Sequence, residues 1–332
     1  MGRWPARKII AAYLRALRHF NQRGYSVFSK NRLALIACVA TYTMFGLTFL
    51  FTRRALAGVS ILSLLSWRFF LAFFMMTLLK FCGVLTINLK GRSLKPLLLI
   101  GVFHPILYFI GETVGIGLTS ASEAGVIIAS IPIVSMLMAA LVLREKPTRL
   151  QAVSILVSVL GVCVVVLGKD ASMTLNPLGY ASLAAAVLSG ALFFIMSRRA
   201  EGYNSAEKTY VMTGMGFAVF ASAAFAENLA GGTIRMWLAL PVIDTWFLVS
   251  VIYLGIITSI FAVILHNYSI AMLGVNRVSS FSGIVTVVSV LAGVVLLGES
   301  FTWLQSIGTA LIIAGVTGAN YLRAKLQQKE QE

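Results

Sequence analysis

The sequence predicts an all-α polytopic membrane protein with ten transmembrane helices, arranged as two inverted five-helix repeats, and both termini cytoplasmic. Three observations carry this reading. Of 332 residues, 59% are hydrophobic and only 11% charged. An ordinary soluble domain carries about 25% charge, so this chain has too little to cover a globule of its size with a solvated surface. Apolar stretches long enough to cross a bilayer recur along the chain. The second half repeats the first, displaced by 154 residues. The same figures exclude a soluble two-domain enzyme and a disordered chain. Runs of about 20 apolar residues also exclude the short alternating strands of a transmembrane β-barrel.

Residues 1–32 form a basic cytoplasmic tail with eight Lys/Arg and no acid, a large part of the +16 net charge. Ile9, Ile10, Tyr13, Leu14 and Leu17 fall at helical spacing among Arg7, Lys8, Arg15 and Arg18. That pattern suits an amphipathic helix lying on anionic lipid. A disordered basic tail held inside, or a transit peptide, fits the same composition. Nucleic-acid binding is not expected.

The spans fall at 33–52, 59–79, 96–117, 122–143, 150–168, 178–197, 209–229, 246–271, 278–297 and 303–322. The first begins too late and runs too long for a cleaved signal. Five spans make a first repeat, 33–168, and five a second, 178–322, before a short cytoplasmic tail, 323–332. Only Thr119-Ser120-Ala121 parts the third span from the fourth, and the Leu273–Arg277 turn parts the eighth from the ninth. With the N-terminus inside, 22 of the 27 Lys/Arg lie on the cytoplasmic side. Four lie outside (Arg53, Arg54, Lys169, Arg235), and Arg68 sits within a span. This is the positive-inside asymmetry.

The 154-residue displacement lays 131–162 over 285–316 and matches polar residues and glycines as well as apolar ones. Ser135 falls on Ser289, Glu145 on Glu299, Thr148 on Thr302, Gln151 on Gln305, Gly161 on Gly315 and, further back, Gly101 on Gly255. An odd number of spans per repeat places the halves in opposite orientations, an arrangement used for alternating access.

The tract TSASEAGVIIASIPIVSMLMAALVLREKPTRLQ (119–151), Gly161, the later tract VLLGESFTWLQSIGTALIIAGV (295–316) and WRFF (67–70) resemble EamA-type members of the drug/metabolite transporter superfamily. The resemblance spans about 33–322. It implies ten helices in two EamA domains and export or exchange of small metabolites, often amino acids, across the cytoplasmic membrane. It also implies a cavity built by helices one, three, four, six, eight and nine. The long basic tail departs from the short one usual in that family.

Ionisable groups inside a span ask for a partner or a wet cavity. Arg68, His104, Glu112 and His266 are four such groups. His104, Tyr108 and Glu112 are spaced by four, along one side of the third helix. The repeat places His266, beside Asn267 and Tyr268, on Glu112. Either Glu112 or His266 could exchange a coupling proton. The structural alternative is an ion pair between Glu112 and Arg68, and the two roles can coexist. His104, followed by Pro105, reads as a packing histidine beside a kink. Ser279, Ser282, Thr286 and Ser289 make a polar stripe that either lines a path or bonds neighbouring helices. Tyr42 and Thr43 are weaker cavity candidates, and Pro132, at the repeat position of Thr286, is a candidate hinge.

Glu145 and Glu299 recur, yet each stands just ahead of a capping box, Thr148-x-x-Gln151 or Thr302-x-x-Gln305, and so reads as structural. Glu123 reads the same way. Gly214/Ala218/Ser222/Ala226 and Ala310/Ala314/Gly318 are small-residue stripes suited to close helix contacts, within one chain or in a homodimer. Cys38, Cys82 and Cys163 show no paired spacing and read as apolar packing residues, with no disulfide and no metal. Asp170 and Asp244, both in outer loops, are the sole aspartates. With no HExxH, no placed nucleophile and no P-loop, an intramembrane enzyme is the weaker alternative, and a channel or scaffold is weaker still given the repeat. The expected partners are a small-molecule substrate and the bilayer, with no cofactor.

Overall fold

The protein is seen in a computed structural model that describes residues 27–142, 148–168, 175–198, 200, 202–279 and 281–329. Residues 1–26 of the basic tail, Glu145, Lys169 and Asp170 lie outside the described residues. Every regular element among those described is helical. The first span is α1 (Val27–Ala55) and the second α2 (Ile61–Phe81), opened by Ser60, whose hydroxyl accepts from the Ser63 amide. The third comprises α3 (Lys95–Gly101), π1 (Val102–Leu107) and α4 (Tyr108–Leu118). The fourth is α5 (Ala121–Ile128) and α6 (Ile131–Val142), and the fifth is α7 (Arg149–Leu167). In the second half, α8 (Pro177–Arg198) and α9 (Ser205–Ala230) precede a short α10 (Ile234–Ile243). Then follow α11 (Thr245–Ile252), π2 (Tyr253–Phe261), α12 (Ala262–Leu273), α13 (Val275–Ser279), α14 (Gly283–Leu297) and α15 (Trp303–Lys329).

Among the described residues nine helical stretches, from Asn31–Ala55 to Arg277–Leu297, are long and apolar enough to cross a bilayer. The apolar part of α15, Trp303–Ala319, is shorter. Thr148 and Gln151 form the reciprocal capping box that the sequence reads, and Asn204 and Glu207 form one that it does not single out. The Thr302 amide donates to Gln305 Oε1 (3.0 Å) and the Gln305 amide to Thr302 Oγ1 (3.2 Å), closing a third. Gly298, at φ 67°, ends α14, a left-handed position that only glycine takes without strain.

Two features depart from the expectation. First, α10 occupies what reads as a loop. Ten residues are too few to span, and the helix instead lies against α2. Trp237 Nε1 donates to Ser66 Oγ and Trp67 Nε1 donates to the Trp237 carbonyl, both at 3.1 Å. Second, four spans are interrupted, in repeat-related pairs, where the sequence marks only a kink at Pro105 and a candidate hinge at Pro132. The third and eighth each contain a π-helical stretch, and the 154-residue displacement maps π1 inside π2. The fourth breaks at Ala129–Ser130, just before Pro132, which therefore begins a half-helix rather than bending one. The ninth breaks ahead of α14, close to the equivalent depth. Nearby hydroxyls bond to carbonyls at these interruptions. Ser130 Oγ donates to the Ile127 carbonyl (2.6 Å), while Thr258 Oγ1 and Ser259 Oγ donate to that of Leu254 (2.8 and 2.9 Å).

The halves interlock rather than sit side by side. Helix α4 packs on α8, where a Cβ on Gly111 would lie 2.7 Å from the Ser182 carbonyl. Helix α7 crosses α15 at Gly161 and Gly308, and α2 meets α9 through Phe69 and Phe220, 5.3 Å between ring centroids. The small-residue stripes make contacts only at their glycines, with Gly318 against Ser154. Gly214 meets Phe73, but Ala218, Ser222, Ala226, Ala310 and Ala314 are exposed. The buried face of α15 runs through Gly308, Ile312, Gly315 and Ala319. Cys82 and Cys163 are also exposed rather than packed, and only Cys38 is buried.

The repeated glycines give a prediction. A Cβ on Gly255 would meet the Arg68 backbone carbonyl at 2.7 Å, whereas one on Gly101 meets the flexible end of Met215. Gly255→Ala should therefore cost about 1–3 kcal/mol of overpacking and lower the melting temperature of purified protein. Gly101→Ala should melt within a degree or so of wild type. Equal shifts would contradict the asymmetry.

Candidate functional site

The third span breaks where its polar stripe begins. His104 has φ −144° and ψ 107°, outside the helical region, as expected of a residue that precedes proline. The π turn then presents His104, Tyr108 and Glu112 toward α2. Tyr108 Oη donates to Glu112 Oε1 at 2.7 Å, and Glu112 is 5% exposed. The His104 ring lies 4.8 Å from that of Tyr108 and 4.9 Å from those of Phe109 and Phe193, so three aromatic rings from two helices surround it.

Arg68 faces this stripe from α2. It is 5% exposed, and its guanidinium carbon lies 4.2 Å from the centroid of the Phe109 ring. The ion pair that is the structural alternative for Glu112 does not form: among the described residues the one salt bridge is Arg92–Glu207, beyond the end of α2. The Arg68 guanidinium and the Glu112 carboxylate act on one another only as charges. Arg68 Nε and His104 Nδ1 are buried without a hydrogen-bond partner, so the packing histidine is not a satisfied one. The sums explain why this matters. An arginine at a helix centre costs about 2.5–3.5 kcal/mol on insertion scales, and a cation–π contact returns about 0.5–2 kcal/mol. A deficit remains for a further group to fill.

The repeat-related position is built differently. His266, on α12, has no hydrogen-bond partner at Nδ1 and lies edge-on to Tyr42, 5.7 Å between ring centroids, with Phe45 at 6.2 Å. Asn267 turns away and is exposed. On α14, Thr286 is fully buried with an unpartnered hydroxyl, Ser289 Oγ donates to the Thr286 carbonyl at 2.9 Å, and Ser282 lies at the break. The structure thus brings Arg68, His104, Tyr108 and Glu112 together and sets Tyr42 and His266 in a second group. Phe109 and Phe193 are partners that the sequence reading missed, since one apolar aromatic in a span looks like any other.

Glu299 does more than precede its own helix. Its carboxylate accepts from the amides of Ala121 (2.7 Å) and Ser122 (2.9 Å) and from the Ser122 hydroxyl (2.7 Å). A residue of the second half therefore caps the N-terminus of α5 in the first. Beside it Glu123, 2% exposed, accepts from Tyr180 Oη (2.9 Å) and Gln305 Nε2 (3.0 Å). Two carboxylates thus tie both halves together at this end of the bundle. Glu299→Ala removes three charge-assisted bonds and leaves the α5 amides bare. We expect a loss of about 1–3 kcal/mol, seen as a lower melting temperature, with Glu299→Gln intermediate. An unchanged melting temperature for Glu299→Ala would contradict the cap.

A multi-pass helical bundle whose repeat-related helices break at equivalent depths, with ionisable groups at the break, has the build of a membrane transporter. Comparison with known proteins identifies which kind. A profile described as the EamA-like transporter family matches residues 32–167 and 178–321, and the chain belongs to that family. It is 32% identical to the uncharacterized transporter YcxC of Bacillus subtilis strain 168, over 86% of this chain and 92% of that one. It is 25% identical to an uncharacterized transporter of Archaeoglobus fulgidus, over 85% of this chain and 96% of that one. A probable terminal-alkyne amino-acid exporter of Streptantibioticus cattleyicolor is 28% identical over 68% and 73%. A solved crystal structure superposes with a TM-score of 0.56 at 20% identity, covering 87% of this chain and 98% of that one, a likeness of fold alone. The protein is thus a multi-pass membrane protein of a transporter family.

Proposed function

We propose that the chain is a secondary active transporter that exports or exchanges a small polar metabolite, an amino acid or similar compound, across the cytoplasmic membrane. Its ten helices carry both termini on the cytoplasmic side and work by alternating access. The observation that supports this best is the interruption of the third, fourth, eighth and ninth spans at repeat-related depths. Broken helices at equivalent points of two inverted halves place freed polar groups near the midplane, where a substrate is held while either half closes over it. The kinship with a named amino-acid exporter supports the substrate class. Glu112 supplies the group that exchanges a coupling proton, because it is a buried carboxylate one turn past the break and, among the described residues, its one hydrogen bond comes from Tyr108.

The test is a thermal-shift screen of purified protein against a metabolite library, followed by counterflow of the hits in proteoliposomes. Saturable exchange of a polar metabolite is the expected result. Flux that is linear in concentration and shows no counterflow would indicate a pore and overturn the reading.

A further inference from the structure

We propose that Arg68 and Glu112 form a charge-reading pair for a zwitterionic substrate, with Arg68 taking the carboxylate and Glu112 the ammonium group. This deepens the transport reading and rests on it. The two side chains face one another from α2 and the third span, both 5% exposed. They carry opposite charges yet stay outside salt-bridge range. Among the described residues Glu112 has a single hydrogen bond, from Tyr108. Arg68 donates no hydrogen bond to any described residue, although a guanidinium carries five N–H donors in a fork that matches a carboxylate. Its guanidinium carbon lies over the face of Phe109, and its Nε is buried without a hydrogen-bond partner.

Charge balance selects the ligand class. The pair sums to zero, so a net-neutral zwitterion bridges it without leaving an unpaired charge in a low-dielectric site. A simple anion would strand the Glu112 carboxylate and a simple cation would strand Arg68. The place is also suitable. The pair sits where the two halves meet: π2 approaches α2 so closely that a Cβ on Gly255 would touch the Arg68 carbonyl. On the other side the helix breaks at His104, which adds an unpartnered Nδ1 beside a wall of Tyr108, Phe109 and Phe193.

The experiment uses full-length protein in detergent and a panel of neutral L-α-amino acids. Each is set beside its primary amide, its decarboxylated amine and its N-acetyl derivative. We expect at least one amino acid to raise the melting temperature of wild type while its three relatives do not. Arg68→Gln should weaken that response about ten- to a hundredfold in apparent Kd, and Arg68→Lys should restore part of it. Should Arg68→Gln fail to give a monodisperse peak on size exclusion, Arg68→Lys and the four-way comparison on wild type decide the matter alone. Amides, amines or N-acetyl compounds that stabilise as well as the parent acids would overturn the pair. So would an Arg68→Gln protein that keeps the full response, or a wild type that responds to no amino acid. Counterflow separates the two levels. Exchange of amides or amines but not of amino acids would leave the transporter reading standing without this pair. A wild type that exchanges neither the panel nor any library compound would bring down the transporter reading itself.

Discussion

Glu112→Gln is expected to abolish uptake driven by a pH gradient in proteoliposomes, while substrate exchange between the two sides, though weaker, stays measurable. The expectation follows from what the substitution keeps. A glutamine carbonyl can still accept from Tyr108 Oη, which is 2.7 Å from the carboxylate now. The ring packing of His104, Tyr108 and Phe109 should therefore persist, and with it the break in the third span. What disappears is the proton-binding group, and a carrier that cannot pick up a proton cannot convert a proton gradient into net flux. Exchange needs no net proton movement and survives. Gradient-driven uptake equal to wild type would sink the assignment of Glu112, whatever it left of transport.

The second large effect is structural. Where α7 crosses α15, a Cβ on Gly161 would lie 2.7 Å from the Gly308 carbonyl and 2.9 Å from the Ile312 amide nitrogen. The contact is reciprocal, because a Cβ on Gly308 would lie 2.7 Å from the Gly161 carbonyl. All of these neighbours are backbone, so no rotamer change relieves the clash and the helices must separate. Small-to-large changes in a packed core cost about 1–3 kcal/mol, and a leucine here adds several more atoms where one does not fit. Gly161→Leu should thus yield little monodisperse protein, and what is recovered should melt well below wild type. A leucine in place of exposed Ala314, on the same pair of helices, should be tolerated. A Gly161→Leu protein with wild-type yield and melting temperature would mean that this crossing is not close.

Some of this was readable in the chain and some was not, for physical reasons. The lengths of the spans, the two recurring capping boxes and the 154-residue repeat depend on local chemistry and on composition, which a sequence displays directly. The breaks were half visible. Pro105 announces one of them, but no proline marks π2, where the largely apolar YLGIITSIF takes a π turn among the helices packed around it. Arg68 and Glu112 were identifiable as costly residues from position alone. Their failure to pair was not, since it depends on the rotation of α2 about its axis, and hydropathy fixes depth but not rotation. The same ignorance of rotation put Ala310 and Ala314 of α15 in a contact stripe, although both are exposed. Glu299 read as a local capping element because its actual partners, Ala121 and Ser122, are 177 to 178 residues away in the chain.

The central claim is that the two interlocked halves open one end of the bundle while closing the other. Double electron–electron resonance on a cysteine-free background tests it most directly. One pair of spin labels goes on exposed Ala57 and Ser300, at the end that Glu299 ties together, and another on exposed Lys90 and Met272, at the opposite end. Measured with and without substrate, the two distances should each show two populations that exchange in opposite senses, one end lengthening as the other shortens. Distances that lengthen together, as in a pore, or that stay single under every condition, would contradict the account.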